Sequence, residues 1–512
     1  MLFRSPLSES ILFTLLTGYY QTRGPHAWDE TPYYPTNNAF LADAYAELVV
    51  AFWRDLASAG RLGPESEPLY IVELASGAGA LAVPLLAALE RKKKNFASLR
   101  NFAVCYVLTD IVAANLQSWA TDPQLAELEK RGRVRFARFA PETDAELPFP
   151  RPSSPPVVLA NYYFDSIPHD YFQTENGVLK LNCPTLYREL SADVGPDDPP
   201  AMEQLRIHDR FVEVLPEEVY PSAALGEVLR EYLEILPEGS FLFPVGALRA
   251  LENLRKLLGD ELLLLASDKG VRSPALFQGH RPTPHTPHNG TASVMVNFHS
   301  IGRFLERAGG RVWRGPENPP LTSLAAATFC GAWENLSHAA QTHLEDAAPI
   351  QSVFDLATLL GTLDRESEHG GFFPALSCVR LAAGDSWVFQ SVAPRLLAGL
   401  DGIDAGVRAE LVRVLQRVES SLTPLSVGAF AAYGWLRCLR FHLGEEDACL
   451  AVSGRALAAF GPHRDHFFYV GAVAEARGDS AAAHTAYAEA LACDPACAAS
   501  AEGLRRTSRR AA

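Results

Sequence analysis

Four short runs of the chain are largely apolar, 69–74, 101–110, 157–160 and 261–266, and 133–139, interrupted by arginines, is read as a further strand. Runs of this length without alternation predict strands buried on both faces, as in a parallel sheet. Between them the period changes to that of helices. Residues 39–57 carry Phe40, Ala44, Leu48 and Phe52 at spacings of four, and helices are expected over 80–89, 111–119, 247–258 and 301–308. Strands alternating with helices define an α/β class with a Rossmann-like sheet, to which Gly239–Val245 and a last strand from Arg311 are also assigned. A helix over 8–17, capped by Ser8, opens the chain. The aromatic stretch 18–38 after it is read as irregular, either one wall of a pocket or simply packed. From about residue 320 the pattern becomes alanine- and leucine-rich helix.

The first apolar run leads into Ser76-Gly77-Ala78-Gly79 and then a helix. A strand, a glycine turn and a helix N-terminus gather backbone N–H groups around a polar ligand, and glycine lets that ligand approach. Gly77 to Ala82 fits the loose G-x-G-x-x-A pattern of dinucleotide sites. Glu73, four residues before the turn, weighs against a pyrophosphate and favours a cationic ligand such as S-adenosylmethionine, SAM. Asp110 closes the second strand, where an acid accepts hydrogen bonds from ribose hydroxyls. Asn161 and Asp165 follow the strand 157–160, at the edge where open α/β sheets bind ligands. An Asn carbonyl there can accept from a substrate N–H, and the acid can hold a cation or take a proton. The competing interpretation of this segment is a plain cap and turn. In residues 141–144 an acid could reach an adenine amino group, but a solvated loop is the expectation.

In order, the stretch Tyr34 to Phe40, Glu73-Leu-Ala-Ser-Gly-Ala-Gly, the wide gap to Asp110, Asn161-Tyr-Tyr-Phe-Asp165 and His288 to Gly302 resemble the MidA-like methyltransferases. That is the family of the mitochondrial complex I assembly methyltransferase, and the likeness covers roughly residues 15–320. It implies a class I SAM-dependent methyltransferase fold in which Glu73, Ser76, Gly77, Gly79 and Asp110 hold the cofactor. Asn161 and Asp165 then face a nitrogen acceptor, arginine among the candidates. Two departures bear on the acceptor. Tyr162 stands where the family has Glu, and Asp268-Lys-Gly270 where it has Asp-Tyr-Gly.

Residues 467–495 resemble a tetratricopeptide repeat, with Gly471, Gly478, Ala483, Tyr487, Ala490 and Pro495 in register and a weaker copy 34 residues earlier. Such helices form a groove for a peptide or protein, or only a packed cap. The expected organisation is an N-terminal helical segment (1–66), a SAM-binding domain (67–320), a linker (321–345), a helical TPR-like domain (346–504) and a basic tail (505–512).

Composition narrows the partners. A net charge of −15 argues against a nucleic-acid surface, and the basic runs 91–94 and 505–510 are short enough to be solvated. No segment has the roughly 18 apolar residues of a membrane span. Scattered cysteines without C-x-x-C fit reduced thiols, and a cytoplasmic protein is expected. His285 and His288 have metal-like spacing but no third ligand, so no metal site is assigned. The function expected is methyl transfer to a protein or peptide nitrogen. The alternative is a catalytically silent SAM-binding adaptor acting through its repeats, and the pattern leaves the oligomeric state open.

Overall fold

A computed structural model describes residues 5–29, 37–188, 202–279, 286–288, 291–314, 323–328 and 371–511. A seven-stranded sheet carries strands β1 (Leu69–Glu73), β2 (Val104–Asp110), β3 (Val134–Arg138), β4 (Val157–Asn161), β5 (Leu263–Asp268), β6 (Arg311–Arg314) and β7 (Ser323–Thr328). Their spatial order is β6-β7-β5-β4-β1-β2-β3. The five strand runs supply β1 to β5, all parallel, while β7 lies antiparallel between β5 and β6. Chain order reverses between β1 and β4, the switch point at which open sheets of this kind bind ligands.

Successive strand residues point to opposite faces, and the two cores show it. Leu69 and Ile71, Tyr106 and Leu108, Val157 and Leu159, and Leu263 and Leu265 pack beneath helices α2 (Ala39–Ser58) and α3 (Ala82–Lys93). Tyr70 and Val72, Val107, Val158 and Leu264 face the other way, against the helices Ala223–Ile235, Val245–Leu258 and Phe298–Arg307. Helix α2 begins where Asn38 accepts a hydrogen bond from the Leu41 amide at 2.8 Å.

The second half departs from the sequence expectation. Gly239–Phe243 is a strand, but it belongs to a separate antiparallel sheet with Asp170–Glu175, Val178–Asn182 and Phe211–Val214. Asn176-Gly177, both in the left-handed region at φ 52° and 76°, turns the hairpin inside it. Ser323–Thr328 lies in the stretch assigned to a linker, yet it pairs with β5 along its length. An antiparallel strand can follow β6 without a helical crossover, so the pattern there carries no helix to announce it.

Helix α1 (Ile11–Arg23) starts later than expected and runs through the stretch assigned as irregular. The Ser8 amide donates instead to Asp170 Oδ1 at 2.9 Å. Leu12, Phe13 and Leu16 anchor α1 on the second sheet through Tyr171 and Leu242. The short 3-10 turn Gly24–Asp29 then leads toward the switch point.

Residues 371–511 are helical throughout, ending in Ala498–Ala511, which includes most of the supposed basic tail. Arg506 there ion-pairs with Glu475 at 3.0 Å. The other basic run is also engaged: Arg91 and Lys92 meet Asp43, and Lys93 is buried against the carbonyls of Leu99, Arg100 and Phe102. The helical region docks on α2 and α3, with Arg417 3.1 Å from Asp43 and the Ala39 amide 3.2 Å from Asp385. No helix of the described residues is long and apolar enough to cross a membrane.

Candidate functional site

The turn after β1 is held from two sides. Ala75, Gly77 and Gly79 take positive φ values of 47°, 53° and 73°. A Cβ on Gly77 would lie 2.3 Å from the Trp28 ring, and one on Gly79 would lie 2.9 Å from Trp119 Nε1. Both glycines are therefore required by conformation and by close packing. The Trp119 indole donates to the Gly77 carbonyl at 3.0 Å.

Asp110 organises the opposite wall. Its carboxylate accepts from the amides of Gly77 (3.1 Å) and Val112 (2.9 Å) and from Asn115 Nδ2 (3.0 Å). Burial raises its pKa while these donors lower it. Ser76 stitches the turn to β2: its amide donates to the Thr109 carbonyl at 2.8 Å and its hydroxyl accepts from the Thr109 amide at 3.2 Å.

Glu73 is only 2% exposed, and its Oε2 has no hydrogen-bond partner among the described residues. Burial pushes its carboxyl up to about 7, against the pull of the Ser76 and Tyr106 hydroxyls. Above that value it is an uncompensated buried anion, the group that a cationic ligand would stabilise.

A cavity of about 110 Å³ opens at this end of the sheet. Gly77 and Asp110 line it on one side, Tyr162 and Ser166 on another, and Tyr20 and Trp28 cover it. Glu142 also lines it and accepts a hydrogen bond from the Tyr163 hydroxyl at 2.6 Å, so the segment expected to be solvated is part of the wall. Of the residues singled out from the sequence, Gly77 and Asp110 meet at the cavity. Glu73, Ser76, Gly79, Asn161 and Asp165 stand behind its surface.

The end of β4 forms a second cluster. Asn161 Oδ1 accepts from the Tyr45 hydroxyl at 2.7 Å, leaving Asn161 Nδ2 buried without a partner. Tyr162 sits at φ 44°, a conformation costly for a bulky residue and found where the surrounding structure enforces it. The Asp165 amide donates to Asp268 Oδ2 at 3.0 Å, which brings two buried carboxylates together. Burial raises both pKa values, their mutual repulsion raises Asp268 further, and Lys269 pulls the other way. Lys269 Nζ lies 5.7 Å from the Tyr162 ring centroid and 3.2 Å from Ser293 Oγ.

Among the described residues no cluster of three or more His, Cys, Asp or Glu could hold a metal ion. His285, half of the H-x-x-H spacing, lies outside them, as does Tyr34 of the family-like stretch.

A parallel sheet with a glycine turn after its first strand and an acid closing its second is a nucleotide-cofactor site of the Rossmann-like class. Residues 44–244 match the model of a family described as "Putative S-adenosyl-L-methionine-dependent methyltransferase", which makes SAM the cofactor assigned to that segment. The residues fit such a ligand: Gly77 and Asp110 line the cavity, and Glu73 offers an unpartnered buried oxygen. Two solved structures from Burkholderia thailandensis are similar. One, bound to S-adenosyl-homocysteine, is 16% identical with a TM-score of 0.39, covering 61% of this chain and 74% of its own. The other, an uncharacterized protein, is 13% identical with a TM-score of 0.37, covering 64% and 95%. No curated protein matches the chain.

Sequence reasoning missed Asn115 and Trp119, set Glu142 in a solvated loop, and reached Trp28 only as part of the stretch 18–38 offered as a pocket wall. Asn115, five residues past Asp110, had a local signal in its helical spacing. Trp28 had only the aromatic character of its stretch, and its pairing with Gly77, 49 residues away, had no local signal.

Proposed function

We propose that the protein transfers a methyl group from SAM to a nitrogen of a protein or peptide, with an arginine side chain among the candidates. The observation that carries this is the cluster at the end of β4 beside the cofactor turn. It contains the orphaned Asn161 amide and the adjoining carboxylates of Asp165 and Asp268. The cofactor supplies an activated sulfonium methyl, so the chain's own task is to position, desolvate and deprotonate the acceptor. Asn161 would orient the acceptor nitrogen through its free amide group. Asp165 would take the proton released as the new N–C bond forms and the S–C bond breaks. Glu73, Ser76, Gly77 and Gly79 would hold the methionine part and Asp110 the ribose.

The helices beyond residue 371 are proposed to be TPR-like and to recruit the substrate. Supporting this, Gly471 and Gly503 both pack on Tyr487, where an added Cβ would meet the ring at 2.8 and 2.6 Å. A second reading, a silent adaptor, is favoured by Tyr162, which stands in the cavity in place of the family's carboxylate. Incubation with labelled SAM and a cell lysate separates these. Label in protein supports the proposal, label only in small molecules removes the protein substrate, and SAM binding without transfer favours the adaptor.

A further inference from the structure

The segment that roofs the cavity lies outside the stretch matched to the methyltransferase family, which begins at residue 44. Tyr20, from the last turns of α1, and Trp28, from the 3-10 turn, lie with ring centroids 5.7 Å apart and planes 31° to one another. Trp28 rests directly on Gly77, and Gly24 rests on Ala114, whose Cβ would lie 2.8 Å from one added to that glycine. The roof thus touches both the cofactor turn and the helix that starts beside Asp110. Beneath it the cavity measures about 110 Å³. Pockets for ligands of cofactor size hold roughly 300–1,000 Å³. The Trp28 indole, seated on Gly77, takes up part of the space at this end.

We propose that Trp28 and Tyr20 are cofactor-binding residues that also gate the site. The indole leaves Gly77 to admit SAM and then closes over it as an aromatic wall. This rests on the SAM reading of the site. Within the 3-10 turn, the ion pair of His26 with Asp29 at 3.1 Å is strongly exposed and worth little. Gly24, at φ 53°, joins the turn to a firmly anchored α1 through a residue free to adopt other backbone angles. The base of the site, by contrast, is tied by the hydrogen bonds of Asp110 and Trp119. An aromatic face over a sulfonium would add cation–π attraction that the neutral product lacks.

Stopped-flow fluorescence, with Trp119 as the remaining reporter at the turn, tests this on the full chain together with calorimetry. For Trp28→Ala, SAM association should quicken at least tenfold and dissociation more, so that the Kd weakens by about fivefold or more. S-adenosyl-homocysteine should lose less affinity than SAM. Trp28→Phe should stay near wild type, and His26→Ala should match it. Unchanged association or unchanged affinity in Trp28→Ala, with wild-type binding intact, overturns the proposal and leaves the cofactor assignment standing. If wild type and both Trp28 variants melt cooperatively yet bind neither compound, the cofactor assignment itself fails and the gate with it.

Discussion

The two ends of the cleft are built by different means. At the β1–β2 end the groups held are those of the backbone: three residues at positive φ, a carbonyl bound by the Trp119 side chain and an amide bound by the Asp110 side chain. At the β4–β5 end side chains do the work, with Tyr45, Asn161, Asp165, Asp268 and Lys269 converging from three segments. A backbone-built site binds whatever shape the turn dictates and tolerates little change of residue. A site made of side chains can be altered one group at a time, and Tyr162 and Lys269, where the sequence leaves the pattern it resembles, fall there. On the proposed function, the first is the cofactor end and the second the acceptor end.

That division breaks if an acceptor-end change disturbs cofactor binding. Asp165→Asn should lower methyl transfer by roughly 100- to 10,000-fold, the usual range for a lost general base. Its SAM affinity by calorimetry should remain within a factor of two or three. A parallel loss of SAM binding would show that the two ends form one unit. Gly77→Ala is the reciprocal change. Strain at φ 53° and the collision with Trp28 should weaken SAM binding by about 1,000-fold, equivalent to about 4 kcal/mol. Binding near the wild-type value in a variant with native circular dichroism would mean that the turn is not the cradle.

The ends also differed in how far the sequence revealed them. The glycine turn and Asp110 were legible because each depends on neighbours along one strand–turn–helix unit. Four of the five parallel strands were legible because burial on both faces leaves largely apolar runs, while β3, at the sheet edge, is partly exposed and carries arginines. The second sheet was not, since a strand at Gly239 looks alike whether it pairs with β5 or with Asp170–Glu175. The roof and the carboxylate pair escaped for the same reason. Trp28 and Gly77, or Asp165 and Asp268, meet only through the tertiary fold, and no local spacing encodes the meeting. Glu73 was read correctly as an acid near the turn, but its complete burial was not visible in a pattern of types.

That burial gives a pH test of the cofactor end. The folded carboxyl of Glu73 titrates at about 7 against 4.5 unperturbed, so folding favours its protonated form. Its contribution to stability is complete below pH 4.5 and fades as pH rises through 7. Relative to Glu73→Gln, the ligand-free wild type should lose about 2 to 3 kcal/mol over that window, seen as diverging thermal melts. Saturating SAM should narrow the gap, because its cationic groups would favour the ionised form. Parallel pH profiles for the two proteins would place Glu73 in a more solvated setting.

The smallest effect sharpens what Asp110 does. Its two oxygens serve three donors within the protein, including the Gly77 amide, so its first duty is to shape the turn. Asp110→Asn keeps a carbonyl that can serve one or two of these donors but replaces the other oxygen with an amide. The Gly77 or Val112 amide then loses its partner, a cost of about 1 kcal/mol. If shaping the turn is the whole role, stability falls by about that amount and SAM affinity by only a few-fold. If the carboxylate also receives ribose hydroxyls, affinity falls by more than the stability loss explains. Adenosine, which keeps the ribose but lacks the methionine part, should then weaken by the same factor as SAM.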